Sequence, residues 1–272
     1  MKLGFSTNAF SEYDLDIAIE SISNLGFTGI ELVVDSPHLF LPISQNQIMK
    51  IKYNLNKYNL QVANLNSNTT SGFTNISNPF EPSISSTDDK LRKWRLSYTK
   101  QVIDFAVLIG SSSICITSGI DLLQTHSTQL KIFEDSLIYL GDYAEQKKIK
   151  LAIEYEPGLL INNSNDVWRL ISKDFKNIGL NLDTCHAEIN SENISEIILK
   201  FNKKIFHTHI SDCKNKIHYH LIPGLGEIDF KKMILSLKKI NYRGFLTAEL
   251  YPYNKNPIDA ASKAFIYLKN LI

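Results

Sequence analysis

Short apolar runs alternate eight times with longer segments of helical period, and that alternation restricts the fold more than any other feature of the chain. The runs occupy residues 2–7, 29–34, 61–66, 113–117, 149–154, 178–183, 205–210 and 244–249. Each has the length and the Ile, Leu and Val content of a strand buried on both faces. Helices are expected near 14–25, 44–58, 86–109, 125–147, 164–174, 192–202 and 228–240, with a closing helix at 257–271. Gly26 marks the end of the first, and Ser44 is placed to cap the second. Repeated βα units imply a parallel sheet. Eight of them imply an α/β chain closed as a (β/α)8 TIM barrel, and 272 residues suit a single domain spanning 1–272. An open doubly wound sheet is the alternative, but no Gly-rich phosphate loop follows any strand. Residues 67–86, polar and broken by Gly and Pro, form the longest expected loop.

Composition narrows the function classes. The net charge is +1 with no long run of one sign, which argues against a dedicated nucleic-acid binder. The three cysteines, Cys115, Cys185 and Cys213, make no CxxC and cannot all pair. No stretch reaches the roughly 18 apolar residues of a membrane span, and the chain opens on a strand, Lys2–Thr7. These features lead us to expect a soluble, cytoplasmic protein with no membrane partner.

The strand ends carry the chemistry. Residues 150–153 run into Glu154, 178–182 into Asp183, 205–206 into His207-Thr208-His209, and 244–248 into Glu249. In a barrel of this kind the active site lies at the C-terminal ends of the strands, so these side chains would share one mouth. Singly, each has an ordinary structural reading. Glu154 could pair with a lysine at the rim, and Asp183 could cap the loop after strand six. His207 and His209 point to the same side of their strand, and the deeper His207 reads as a hydrogen-bonded core residue. Together, two Glu, one Asp and one His would repel unless a cation sat among them. A divalent metal is the expected answer.

The set Glu154, Asp183, His209 and Glu249, with Asp183-Thr-Cys-His186, His209-Ile-Ser-Asp212 and the segment from His220 through Pro-Gly-Leu-Gly-Glu to Phe230, resembles the xylose-isomerase-like barrel superfamily. That group contains sugar and sugar-phosphate isomerases, ketose 3-epimerases, inosose isomerases and dehydratases, and endonuclease IV. The resemblance implies that Glu154, Asp183, His209 and Glu249 bind one divalent ion, Mn²⁺, Mg²⁺, Co²⁺ or Zn²⁺. It implies that Glu154, Glu249 and His186 are catalytic, and that His186 and His220 contact a small carbohydrate substrate. Asn66, His218 and Glu156 are further candidates for the pocket, although Glu156, beside Pro157-Gly158, could face solvent.

The implied activity is a metal-dependent isomerase or epimerase of a sugar, sugar phosphate or polyol-derived ketone, working by proton transfer through a metal-bound enediolate. Glu154 and Glu249 would take and return the proton on opposite faces. An inosose dehydratase acting on the same site is the alternative. An endonuclease-IV-like nuclease or a non-catalytic metabolite-binding barrel ranks lower. The nuclease branch needs further histidines after strands three and four, where this chain has Asn64-Leu65-Asn66 and Thr117-Ser118-Gly119. No arginine cluster marks the strand ends, which favours an unphosphorylated substrate. Its identity would rest on the loops at 35–43 and 67–86, with His38, Phe40, Asn66, Asn68 and Phe73 as contact candidates. The sequence is compatible with a homo-oligomer and does not specify one.

Overall fold

The computed structural model describes residues 1–73, 78–171 and 175–272. Its strands are β1 Lys2–Ser6, β2 Gly29–Val33, β3 Gln61–Asn66, β4 Ser113–Ile116, β5 Lys150–Ile153, β6 Ile178–Asp183, β7 Ile205–Ile210 and β8 Phe245–Ala248. They close in sequence order into one barrel, each parallel to its neighbours, with β1 paired to both β2 and β8. The expected (β/α)8 barrel is the observed fold.

The helices are α1 Leu15–Asn24, α2 Gln45–Lys57, α3 Asp89–Ile109, α4 His126–Gln146, α5 Ser164–Ile171, α6 Thr184–Ile189, α7 Ile194–Phe201, α8 Phe230–Lys239 and α9 Pro257–Lys269. Ser44 caps α2 in a reciprocal capping box with Gln47, as its position suggested. The expected helix at 164–174 is present through Ile171, and residues 172–174 lie outside the described residues. Among the described residues one α-helix was not anticipated. The segment after β6, read as a loop, turns straight into α6, with Asp183 as N-cap. No helix among the described residues is long and apolar enough to cross a membrane.

Two irregularities in strand register position the site. Ile30 pairs with Val62 but Glu31 pairs with Asn64, so β3 gains a residue beside Glu31. Leu180 pairs with Ile205 but Asn181 pairs with His207, so β7 gains one beside Asn181. Such bulges redirect side chains next to active sites. Here they set Asn64 across from Glu31 and His207 across from Asn181, all wholly or almost wholly buried. At Gly179 the neighbouring strand comes so close that a Cβ would meet the Lys204 carbonyl oxygen at 2.3 Å.

Two loops over the mouth are pinned from a distance. Asp35, after β2, accepts hydrogen bonds from Thr69 Oγ1 at 2.6 Å, Ser71 N at 2.7 Å and Gly72 N at 2.9 Å. Arg95, buried on α3, donates to the carbonyls of Ser67 and Thr69. Burial lowers the guanidinium pKa to about 10, with Tyr98, Asp35 and Glu81 pulling the other way, so it is charged at neutral pH. After β7, Asp212 accepts from the backbone N–H groups of Cys213 at 3.0 Å, Gly224 at 2.9 Å, Gly226 at 2.8 Å and Ile228 at 3.1 Å. That carboxylate holds the loop carrying His218 and His220. A Cβ on Gly226 would come within 2.3 Å of the Cys213 carbonyl oxygen, so the turn requires glycine there.

Candidate metal centre and cavity

Glu154, Asp183, His209 and Glu249 converge from the ends of β5, β6, β7 and β8, with one candidate ligand atom from each lying within 4.8 Å of all the others. All four are buried. Each carboxylate has one oxygen engaged by a neutral donor. Glu154 Oε2 accepts from Asn68 Nδ2 at 2.6 Å and Asn181 Nδ2 at 2.7 Å. Glu249 Oε1 accepts from Asn66 Nδ2 at 3.2 Å, and Asp183 Oδ1 from His186 N at 2.9 Å. The capping role considered for Asp183 is therefore real, and its other oxygen, Oδ2, is buried without a partner. Among the described residues Glu154 has no lysine as a hydrogen-bond partner; asparagines take that place.

His209 joins this group through Nδ1, which lies 3.1 Å from Glu154 Oε1 and 3.3 Å from Glu249 Oε2. Its Nε2 lies 2.8 Å from Glu31 Oε2, a hydrogen bond that would keep a proton on Nε2 while Nδ1 exchanged its own proton for a cation. Burial alone would raise the Glu31 carboxyl, but His209 and His207 together hold it well below the usual carboxylate range. Asn64 Nδ2 also donates to Glu31 Oε2, at 2.9 Å. His207 is buried as expected, but its Nε2, 3.3 Å from the same oxygen, lacks hydrogen-bond alignment, so the hydrogen bond expected of it is not found at that atom. Burial would lower the His209 pKa, and Glu154, Glu249 and Glu31 outweigh it and hold it well above the usual imidazole value. A proton on His209 offsets one charge among four carboxylates. An orphaned Asp183 oxygen, two glutamate oxygens neutralised by one exchangeable proton on His209, and an oriented imidazole make a donor set that fits a divalent cation.

Above this cluster lies a cavity of about 400 Å³. Glu154 and Glu249 form part of its wall, together with Asn66, Asn68, Glu156, His186, His218 and His220 from the expected set. Asn8, Val33, Thr69, Pro79, Phe80 and Tyr251 complete it, and no lysine or arginine lines it among the described residues. Glu156 thus faces the cavity rather than bulk solvent. Its burial pushes the carboxyl up to about 7, with Glu154 and Glu249 reinforcing and His186 and His220 opposing. His38, Phe40 and Phe73 do not line the cavity. His38 Nε2 bonds the Tyr13 carbonyl at 2.8 Å, while Phe40 and Phe73 pack on Trp94. Residues 74–77 of the long loop lie outside the described residues.

His186, His218 and His220 cluster at one side. His186 Nδ1 donates to the Tyr155 carbonyl at 2.9 Å and His220 Nδ1 to the Glu249 carbonyl at 3.2 Å. Burial, with His186 and His220 close by, lowers the His218 pKa to about 4. At His220 burial works downward too, but Asp183 and Glu249 prevail and raise it to about 9.

With this geometry established, comparison with known proteins is direct. Residues 19–271 match the family model described as xylose isomerase-like TIM barrel. The chain belongs to that family. It is 24% identical over 256 residues to fructoselysine 3-epimerase of Shigella flexneri, a match covering 92% of this chain and 90% of the relative. It is 30% identical over 159 residues to inosose dehydratase of Clostridium beijerinckii, covering 51% of this chain and 53% of the relative. The solved structure of the IOLI protein with a bound zinc atom superposes with a TM-score of 0.80 at 19% identity, covering 100% of this chain and 98% of that one.

Glu31, Asn64 and Asn181 were not anticipated as parts of the site. Glu31 and Asn181 are polar residues inside mostly apolar strand runs, and a buried carboxylate such as Glu31 is costly unless partnered. That cost was the available signal.

Proposed function

We propose that this protein is a divalent-metal-dependent epimerase or isomerase of an unphosphorylated ketose or related keto-sugar. The observation that carries the proposal is the convergence of Glu154, Asp183, His209 and Glu249 at the base of a cavity otherwise lined by neutral polar, imidazole and apolar side chains and by Glu156. The epimerase relative, which matches this chain along nearly its whole length, supports the reading. The absence of lysine and arginine from the described wall supports a substrate without phosphate.

A cation held by the four ligands would supply Lewis acidity, polarising the substrate carbonyl and making the neighbouring C–H more acidic. The chain's own residues do the rest. Glu154 takes the proton as that C–H bond breaks, and the electron pair delocalises into the carbonyl as an enediolate. Asn68 and Asn181 hold Glu154 Oε2 and so fix the orientation of the carboxylate. Glu249, with Oε1 held by Asn66, returns a proton to the opposite face of the same carbon and inverts it. Return to the adjacent carbon gives aldose–ketose isomerisation. His186, on the cavity wall, would hydrogen-bond the substrate oxygens and pass protons between the glutamates and solvent. Asn66, Glu156, His218 and His220 are the remaining substrate contacts. Three buried cysteines without disulfides fit a cytoplasmic setting.

The test is incorporation of solvent deuterium into a panel of ketopentoses, ketohexoses and inososes by metal-loaded protein, read by NMR. Exchange that disappears in Glu154→Gln and Glu249→Gln, with the fold retained, is the expected result. No exchange with any of the panel would overturn the reading. The half-length similarity to an inosose dehydratase supports a second activity on the same residues, expulsion of a β-hydroxyl as water. Loss of water from an inosose without epimerisation of ketoses would identify it.

A further inference from the structure

At 21 residues each, α3 and α4 are the longest helices among the described residues, and they lie side by side on the outside of the barrel. Their charges are opposite. α3 carries five Lys and Arg against two Asp, and α4 one Lys against four Asp and Glu, so the helices stand at +3 and −3. Of these charged residues only Arg95 is buried, which leaves the outward side of α3 positive and that of α4 negative.

The charges also match in position. Lys93 and Lys100 are seven residues apart on α3, and Asp135 and Asp142 seven apart on α4, so each pair spans two helical turns, about 10.5 Å. Between its two charges α3 presents Leu96 and Ser97, and α4 presents Ile138 and Tyr139, which are 46% and 50% exposed. A groove of about 410 Å³ runs between the helices, walled in part by Lys93, Leu96, Ser97 and Lys100 on one side and Tyr139 and Tyr143 on the other. Lys100 Nζ lies 5.3 Å from the ring centroid of Tyr139 and 4.2 Å from that of Tyr143, which sets Lys100 at the height of Asp142. Within the chain, Lys93 pairs with Asp89 at 2.6 Å and Asp135 with Lys131 at 2.9 Å, both exposed pairs of small worth. Lys100 and Asp142 form no ion pair among the described residues.

A two-fold contact needs one patch that is complementary to itself, and this face meets that condition. Both helices return from parallel strands and so run in the same direction. An axis along the groove therefore sets α3 of each copy on α4 of the other without changing the height of any residue. Lys100 of one copy meets Asp142 of the other, Lys93 meets Asp135, and Ile138 and Tyr139 seat in the groove beside Leu96 and Ser97. Two adjacent helices about 30 Å long and about 10 Å wide present about 600 Å², within the roughly 600–1,000 Å² per partner of a stable interface. We propose that the α3–α4 face is a docking surface for a second copy of this chain, a two-fold homodimer interface with an apolar centre and two ion pairs repeated about the axis. The inference does not depend on the proposed epimerase activity.

The experiment is mass in solution by light scattering on the full chain at low ionic strength. The natural sequence should give about twice the 30.9 kDa of one chain. Lys93→Glu with Lys100→Glu sets acid against acid and should give the single-chain mass. Asp135→Lys with Asp142→Lys sets base against base and should do the same. An equimolar mixture of the two variants restores opposite charges at every contact and should recover the doubled mass. A single-chain mass for the natural sequence, a doubled mass for either variant alone, or no recovery on mixing would overturn the proposal. Should either variant misfold by circular dichroism, carbodiimide coupling of a ¹⁴N/¹⁵N mixture of the natural sequence decides. Mixed-isotope peptides joined through Lys93 and Asp135 or through Lys100 and Asp142 support the interface; their absence rejects it.

Discussion

Replacing Glu31 with glutamine tests whether a residue that touches no substrate sets the electronics of the carboxylate centre. Glu31 Oε2 accepts from His209 Nε2 at 2.8 Å and Asn64 Nδ2 at 2.9 Å, while Oε1 has only a long contact with Asn66 Nδ2 at 3.5 Å. A glutamine can place its amide oxygen where Oε2 stands and keep both short bonds, so the fold should survive. What disappears is the charge. A charge-assisted hydrogen bond is about twice as strong as a neutral one, so the step costs about 1–1.5 kcal/mol. That is about tenfold in metal affinity, the low end of the roughly 10–100-fold seen when partners behind metal ligands are removed. Competition for Mn²⁺ or Co²⁺ against a chromophoric chelator measures it, with thermal melting as the fold control. About tenfold weaker binding with a melting shift of no more than a few degrees is expected. Binding within twofold of the natural sequence would show that Glu31 does not hold the His209 tautomer, and the account of the centre would fail. Glu31→Leu is a poorer probe, because it strands three buried donors together.

Three other outcomes follow from the same contacts. Stripping the protein with chelator should abolish deuterium exchange, and returning Mn²⁺ at about 100 times its Kd should stabilise the fold by about 2.7 kcal/mol, visible as a rise in melting temperature. Arg95→Met should destabilise the chain by about 1–3 kcal/mol by leaving the Ser67 and Thr69 carbonyls without their donor. It should also lower kcat, since Asn66 and Asn68 flank that segment and hold Glu249 and Glu154; an unchanged kcat would refute the loop's positioning role. Asp212→Asn should cost about 2–5 kcal/mol in thermal or denaturant unfolding, because either amide orientation sets an NH₂ group against two of four backbone N–H donors.

The barrel and its four converging candidate ligands were legible because both depend on short-range pattern. Strand length and apolar content name the strands, and the residue at each C-terminal end is then assigned to the mouth by topology alone. The helix α6 was missed because only six residues form it, too few to show a period, although Asp183 three residues ahead of His186 has the spacing of an N-cap. His38, Phe40 and Phe73 were offered as contacts because they lie in the right loops. Their actual partners, Tyr13 and Trp94, are distant in sequence and leave no local trace. The same holds for the supports. Glu31 meets His209 across 178 positions and Asn66 meets Glu249 across 183, and register shifts of one residue in β3 and β7 set which polar side chains face one another.

The identity of those supports carries a chemical meaning. Every candidate ligand carboxylate has one oxygen engaged by a neutral donor, an asparagine amide at Glu154 and Glu249 and a backbone N–H at Asp183. A lysine or arginine would orient the same oxygens more strongly, but it would also cancel the charge a cation needs. Neutral amides restrict each side chain to one geometry and leave its charge intact. At His209 the logic reverses. Once its Nδ1 proton gives way to a cation the imidazole is neutral, and it is oriented by the anion Glu31, which makes it a better donor. Amides behind the carboxylates and a carboxylate behind the imidazole both raise affinity for a positive ion at one point. A cluster selected only for packing would have no reason to keep those signs, which is why the donor set reads as a metal centre.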